Sequence, residues 1–185
     1  MAIAADFERV YEIGPVFRAE NANTHRHMTE FIGLDLEMAI EEHYHEVLEL
    51  LDSLFKSIFS GLKTTYKREI EVVGRSFEAE EFTWLDETLR MTFADAVNLL
   101  VEDGVPREDL DDIKYGFPSN LIIHADERQS TENEKRLGRI VKAKYNTDYF
   151  IIDKFPLALR PFYTMPDPTD PVCGPRSLPI LIMAE

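Results

Sequence analysis

The feature that most constrains the fold is a pair of alternating stretches separated by a polar loop. From Val16 to Met38 the chain reads "VFRAENANTHRHMTEFIGLDLEM". Residues 30–40 place an apolar side chain at every second position, and residues 10–20 alternate in a similar way. Successive side chains of a strand point to opposite faces of a sheet, so this alternation predicts two strands. Joined through the loop at 21–29, the two strands predict an antiparallel hairpin.

One face of this predicted hairpin is polar and carries both signs of charge. Antiparallel pairing through the loop places Arg18, Glu20, Phe31, Asp35 and Glu37 on that face. Arginine grips phosphate with a planar fork, carboxylates attract an ammonium or a metal ion, and an aromatic ring offers a surface for a base. The face is therefore either a site for a ligand that carries both kinds of charge or simply the solvated face of a sheet.

The loop between the two strands is unusually long and polar. Hairpins commonly close with about two to five residues, so the loop at 21–29 is either a surface flap or a binding element. Arg18 and Arg26 bracket a stretch rich in hydrogen-bond donors, which favours an anion. His25 and His27 lack a visible third ligand, and this pattern is more typical of surface donors than of a metal site.

The rest of the chain predicts mixed helices and strands. Apolar residues recur at helical spacing over 41–62, where His43 and His45, two residues apart, are not expected to share a face. The stretch "REIEVV" fits either a strand or a continuation of the helix, and "RMTFADAVNLLVEDG" predicts a strand and a short helix that ends at Gly104. The stretch "STENEKRLGRIVKAKY" predicts a helix with Ser130 as its N-cap.

The C-terminal part predicts short strands and an irregular tail. The stretch "DYFIIDKFPLALRPFYTMP" predicts two strands broken by Pro156, and the proline-rich tail that follows predicts no regular structure. Together the elements predict an α+β fold in which an antiparallel sheet is flanked by helices.

Composition and charge narrow the functional class. A chain of 185 residues with 44% hydrophobic content is long enough for one globular domain. A net charge of −15 argues against a protein that coats nucleic acid by general electrostatics. No apolar stretch approaches the roughly 20 residues of a membrane span, no signal peptide is recognisable, and the single cysteine, Cys173, favours a reducing compartment such as the cytosol.

Several motifs together resemble one enzyme family. The stretch "GPVFRAENANTHRHMTEFIGLDLEM" resembles the second signature motif of class II aminoacyl-tRNA synthetases, in the form found in aspartyl-tRNA synthetases of the cytosolic eukaryotic type. The stretches "EEHYHEV", "STENEKRLG", "YNTDYFIIDKFPL" and "RPFYTMPDP" are similar to the same family and follow in the same order. The resemblance covers roughly residues 2–113 and 130–170, and it implies part of a class II catalytic core.

The resemblance implies a ligase reaction and assigns roles to individual residues. It implies ATP-dependent activation of L-aspartate to aspartyl-adenylate and transfer to tRNA(Asp) in the cytoplasm, with Mg²⁺ accompanying ATP. It implies that Arg18 is the catalytic residue and that no residue of this chain is a metal ligand. The implied contacts are Arg18, Ala19, Glu20, Arg26, His27, Met28 and Phe31 to ATP, Arg18 and Asp35 to aspartate, and Ala22, Asn23 and Thr24 to the tRNA acceptor end.

The chain also departs from the family pattern. Residues 1–171 resemble an incomplete catalytic domain, 114–129 resemble an insertion, and 172–185 have no family counterpart. The family's dimer-forming first motif and its third motif are not recognisable, so we expect little or no aminoacylation activity. The resemblance implies a homodimer, but the motif that forms the dimer interface is missing. Two alternatives stay open, which are a non-catalytic fragment that binds a nucleotide or a partner, and an enzyme specific for asparagine.

Overall fold

The computed structural model describes two compact units of the chain. The described residues are 1–19, 28–77, 80–107, 110, 127–155 and 180–183, with the backbone alone for 127–131 and 180–183. The first unit is Met1–Val47 and the second is Leu48–Glu185. Within the described residues, no helix has the length and apolarity that crossing a membrane requires.

The first unit contains the predicted hairpin. Strand β1, Arg9–Phe17, pairs antiparallel with β2, Glu30–Met38, so that Arg9 lies opposite Met38 and Phe17 lies opposite Glu30. A short 3₁₀ turn, Ile3–Ala5, precedes β1. The two strands predicted from alternation are confirmed, and their boundaries differ from the prediction by at most three residues.

Two consecutive helices follow the hairpin. Helix α1 is His45–Thr64 and helix α2 is Lys67–Gly74, which resolves "REIEVV" as helix rather than strand. The predicted start of α1 at residue 41 is wrong by four residues. The carboxylate of Glu46 accepts hydrogen bonds from the backbone N–H groups of the three residues 41–43, at 2.8–3.2 Å, and these bonds hold that segment outside the helix.

The second unit is built around a three-stranded sheet. Strand β3, Leu89–Thr92, pairs parallel with β4, Tyr149–Asp153, and β4 pairs antiparallel with β5, Ile180–Met183. The tail predicted to be irregular therefore contributes a strand at 180–183. The side chains of 149–152 are all buried, and such a continuous apolar run is typical of a central strand with neighbours on both edges.

Helices α3 and α4 pack against this sheet. Helix α3, Phe93–Glu102, follows β3 and is terminated at Gly104, which has a φ of 91° as predicted for a helix stop. Helix α4, Glu127–Tyr145, begins three residues before Ser130, so the predicted N-cap lies inside the helix. The residues that precede Ser130 in α4 include no glycine or proline that would stop the helix there.

The core of the second unit joins both helices to the sheet. Most of its buried members come from β3, α3, α4 and β4, while Val105 and Leu110 follow α3 and Phe155 follows β4. The full set is Met91, Ala96, Leu100, Val105, Leu110, Leu137, Val141, Phe150, Ile152 and Phe155. The predicted α+β class is confirmed, although the described strands form two small sheets, one of which includes a parallel pair. The strand predicted after Pro156 lies outside the described residues.

Candidate functional site

The register of the hairpin determines which side chains share its polar face. Val16 lies opposite Phe31, and Glu12 lies opposite Asp35. Since every second residue of a strand points to the same side, these four side chains belong to one face. The opposite face carries most of the apolar residues of both strands, as the alternation predicts.

Arg18 joins this face one residue beyond the end of β1. Its backbone N–H donates a hydrogen bond to the carbonyl oxygen of Thr29 at 2.9 Å, which continues the strand pairing. Its guanidinium carbon lies 5.3 Å from the centroid of the Phe31 ring. At this distance a guanidinium is attracted by the electrons of an aromatic ring. The structure therefore brings together the arginine and the aromatic ring that the sequence predicts for nucleotide binding.

Three acidic residues lie at the other end of the same face. Asp35 and Glu37 lie on the Phe31 side of β2, and Glu12 lies directly opposite Asp35 on β1. Asp35 is exposed, and its Oδ1 accepts a hydrogen bond from the backbone N–H of Leu36 at 3.1 Å. Two carboxylates directly opposite each other repel unless a cation lies between them. This end of the face is therefore suited to a positively charged group such as an ammonium.

Glu12 is the functional candidate that the sequence analysis missed. Its position in "VYEIG" shows only that it alternates with Val10 and Gly14. Its pairing with Asp35 depends on the register of the hairpin, and a register shift of one residue would have placed it on the other face. The signal that could have found Glu12 is therefore the complete pairing of the two strands rather than a local motif.

The predicted site residues divide into those that the structure describes and those that it does not. Ala19 and Met28 flank the loop, and both are exposed. The remaining predicted contacts in the loop lie outside the described residues, and these are Glu20, Ala22, Asn23, Thr24, Arg26 and His27.

The two histidines that follow β2 are closer than expected. Because α1 begins at His45, His43 precedes the helix, and helical spacing does not apply to the pair. Their ring centroids are 4.2 Å apart, so the prediction that they do not meet is wrong. Within the described parts of the chain, no group of three or more His, Cys, Asp or Glu side chains is arranged to hold a metal ion.

Glu46 fixes the segment between β2 and these histidines. Hydrogen bonds from the backbone N–H groups of His43, Glu42 and Glu41 stabilise its charged form and lower the pKa of Glu46 below the usual value. The carboxylate therefore stays ionised and accepts these three hydrogen bonds over the neutral pH range. This contact sets the direction in which the chain leaves the hairpin.

A family model covers nearly all of the chain. The model for class II tRNA synthetases (D, K and N) matches residues 1–178. This range includes the whole β1–β2 hairpin.

Curated relatives are similar over most of this chain but are much longer. The chain is 50% identical over 171 residues to the cytoplasmic aspartate–tRNA ligase of Homo sapiens, covering 92% of this chain and 31% of that protein. It is 51% identical over 170 residues to the cytoplasmic aspartate–tRNA ligase of Caenorhabditis elegans, covering 92% and 29%. The chain thus spans less than a third of the length of these relatives.

A solved structure shows the same fold. The aspartyl tRNA synthetase from Entamoeba histolytica superimposes with a TM-score of 0.76 at 38% identity. The match covers 98% of this chain and 34% of the solved chain. Sequence and structure comparisons thus agree on the same group of proteins.

Proposed function

We propose a function for this chain, which belongs to the class II tRNA synthetases (D, K and N). Its β1–β2 hairpin binds ATP and L-aspartate as part of an aspartate–tRNA ligase. The observation that carries the proposal is the contact of the Arg18 guanidinium with the Phe31 ring, 5.3 Å from its centroid, on the face that also holds Asp35. A cation, an aromatic surface and a carboxylate on one sheet face fit the three parts of these two substrates, which are phosphate, base and ammonium.

Each of these groups has a proposed role. Arg18 binds the α-phosphate and reaches the carboxylate of aspartate, while Phe31 stacks on the adenine. Asp35 faces the ammonium of the amino acid, and its like-charged neighbour Glu12 strengthens the attraction. The existing contact between Arg18 and Phe31 keeps the two nucleotide-binding groups together before a ligand arrives.

The loop supplies the other proposed contacts. Ala19 and Met28 contact ATP at the two ends of the loop, Met28 through its backbone, and Glu20 lies by the adenine. Arg26 and His27 hold the outer phosphates. The segment from Ala22 through Asn23 to Thr24 meets the acceptor end of tRNA(Asp).

The proposed chemistry needs no nucleophilic side chain. A carboxylate oxygen of aspartate attacks the α-phosphorus of ATP, the bond to the β-phosphate oxygen breaks, and pyrophosphate leaves. The terminal ribose hydroxyl of the tRNA then attacks the aspartyl carbonyl, and AMP leaves. The hairpin contributes orientation of the two substrates and a positive charge, from Arg18, beside the phosphorus.

Magnesium is not assigned to this chain. The described residues do not converge in any group of three or more metal-binding side chains, so they do not fit a magnesium ion held by protein ligands alone. Mg²⁺ that accompanies ATP would be held chiefly by the phosphates.

The wider assignment follows the relatives. Identity of 50% to a cytoplasmic aspartate–tRNA ligase supports aspartate rather than asparagine, tRNA(Asp) as the acceptor, and a cytoplasmic location. Homodimerisation is the expectation for the family. The complete reaction belongs to relatives of which this chain spans about a third, 31% in the human case.

ATP binding tests the role of Arg18. We expect Arg18→Ala to weaken ATP binding to the 185-residue chain at least about tenfold, since a bidentate charge-assisted contact is lost. Arg9→Ala is the matched control, because Arg9 lies on β1 but on the opposite face. Isothermal titration calorimetry measures both affinities. Equal ATP affinity of Arg18→Ala and the unmodified chain would show that the phosphate role is wrong.

Pyrophosphate exchange tests the reaction. Aspartate-dependent exchange of pyrophosphate into ATP by the purified chain supports catalysis, and its loss in Arg18→Ala would assign that activity to the hairpin. ATP binding without exchange supports instead a non-catalytic chain that binds a nucleotide. This outcome would agree with the match to only 31% of the length of the human relative. Exchange that depends on asparagine rather than aspartate would replace the amino-acid assignment.

A further inference from the structure

Two glycines lie opposite each other in the middle of the polar face. Gly14 of β1 pairs with Gly33 of β2, next to the central pair of the nine paired positions. Glycine weakens a strand interior, and where it occurs there it often marks a close approach by another backbone or by a ligand. Among the described glycines, only Gly104 has a positive φ, so backbone conformation does not explain Gly14 or Gly33.

Packing within the hairpin explains Gly33. A Cβ atom added there would lie 2.7 Å from Cγ2 of Val16 and 4.0 Å from Cε2 of Phe31. The first distance is shorter than carbon atoms tolerate, so a side chain at Gly33 would displace Val16. Gly33 is therefore required for Val16 and the Phe31 ring to lie where they do.

Packing within the hairpin does not explain Gly14. The one described atom within 4 Å of a Cβ added there is Oε1 of Glu12, at 3.6 Å, which is an ordinary contact. The hairpin could therefore accept alanine at this position, and a β-branched residue would suit a strand better than glycine does. No contact among the described residues therefore requires glycine at position 14.

The position of Gly14 lies between the two halves of the proposed site. Same-face neighbours along a strand are about 7 Å apart, which places Gly14 one such step from Glu12 and one from Val16. Its partner Gly33 lies in the same way between Phe31 and Asp35. Gly14 thus lies between the end of the face that holds Phe31 and Arg18 and the acidic end that holds Asp35.

We infer that Gly14 is a ligand-contacting position whose missing side chain makes room for the part of the ligand that joins a nucleotide to an amino acid. The inference rests on the proposed function, because it takes Phe31 and Arg18 as the nucleotide end and Asp35 as the ammonium end. A ligand held at both ends must cross the sheet above Gly14. A side chain there would lift the ligand from the backbone and separate the reacting groups.

A graded substitution series tests this inference. The probe is an aspartyl-adenylate analogue in which a sulfamoyl group replaces the phosphate, titrated calorimetrically into the full 185-residue chain. We expect Gly14→Ala to weaken its binding several-fold and Gly14→Val at least about tenfold, in step with side-chain size. We expect ATP alone to be affected less. The unfolding midpoint should stay equal or rise, because both substitutions favour a strand.

The controls separate this inference from its premise. Ile13→Ala changes the neighbouring residue on the opposite face and should leave analogue binding unchanged. Equal affinity of Gly14→Val and the unmodified chain would refute the inference and leave the proposed function standing. It would also be refuted if Ile13→Ala weakened binding equally, or if Gly14→Ala failed to fold, since the fold would then need glycine. An unmodified chain that binds neither ATP nor the analogue would overturn both proposals.

Discussion

Asp148 shows how one partly buried carboxylate holds distant parts of the second unit together. Its Oδ2 accepts hydrogen bonds from the N–H of Thr83 at 2.7 Å, the hydroxyl of Thr83 at 2.9 Å and the ammonium of Lys142 at 2.5 Å. Burial raises the pKa of Asp148, but the Lys142 and Thr83 donors outweigh it, and the pKa lies below its usual value. The segment that contains Thr83 is thereby tied to α4 and β4.

Replacing Asp148 with asparagine should destabilise the protein in a pH-dependent way. We expect Asp148→Asn to cost about 2 kcal/mol at pH 7, because charge-assisted hydrogen bonds are lost. A lowered pKa in the folded state stabilises the fold fully above the unfolded value of about 3.9, and this contribution disappears as the pH falls through the folded value. The difference between the two proteins should therefore shrink below about pH 4.

Urea unfolding at several pH values measures this effect. Trp84 is the single tryptophan of the chain, and its ring centroid lies 5.7 Å from that of Phe59. Its fluorescence therefore reports the packing of the second unit. Glu87→Gln, at an exposed position nearby, is the control for loss of one carboxylate. A stability difference that stays constant down to pH 2 would contradict the role of the ionised Asp148.

At the scale of the elements, helix α3 has the most completely defined start. Thr92 is its N-cap, and the hydroxyl oxygen of Thr92 accepts the backbone N–H of Asp95 at 3.2 Å. Oδ2 of Asp95 accepts the backbone N–H of Thr92 at 3.1 Å, which completes a capping box. The Thr92 hydroxyl also donates a hydrogen bond to Oδ2 of Asp95 at 2.6 Å, and this bond, together with that from the Thr92 backbone N–H, lowers the pKa of Asp95. Strand β3 can therefore turn directly into α3 without an intervening loop.

Removing this cap should destabilise α3 measurably. We expect Thr92→Ala to lower the free energy of unfolding by about 1 kcal/mol, which is the usual value for an N-cap. Thr92→Ser should retain most of the stability, since serine offers the same hydroxyl. Urea unfolding followed by circular dichroism at 222 nm measures both variants. If serine were as destabilising as alanine, the methyl group rather than the cap would be the important feature.

At the scale of the whole molecule, the described residues include an exposed apolar surface on the hairpin. The apolar face of the hairpin includes Tyr11, Phe17 and Ile32, whose side chains are 71%, 70% and 71% exposed. Apolar patches of this kind and unpaired strand edges promote association. The net charge of −15 opposes it by mutual repulsion. The balance between apolar association and charge repulsion should depend on ionic strength.

Polar substitutions on this face should reduce association. We expect the unmodified chain to associate increasingly with concentration at high salt, and the double variant Ile32→Thr with Leu34→Thr to associate less. Threonine is β-branched and suits a strand, so the hairpin should persist. Sedimentation velocity measures the effect, with Glu37→Thr on the polar face as the control. Equal association of the double variant and the unmodified chain would exclude this face as the cause.

Local periodicity correctly predicted the elements whose formation depends on neighbouring residues. The two strands of the hairpin follow from alternation, and the stop of α3 follows from Gly104. The shared face of Arg18, Phe31 and Asp35 follows from the same alternation once the strands are paired. The resemblance added the chemistry of the site, since alternation leaves a charged face indistinguishable from a solvated one.

Some wrong predictions involved neighbouring residues, such as the start of α1, which the carboxylate of Glu46 sets through residues three to five positions away. Others depended on residues far apart in the chain: the tail formed a strand because β4 offered it an edge. Glu12 joined the acidic group only through the register with Asp35. Hydrogen bonds such as that from Thr83 to Asp148 span 65 positions of the chain. Alternation and helical spacing act over a few residues, and only folding brings such distant partners within bonding distance.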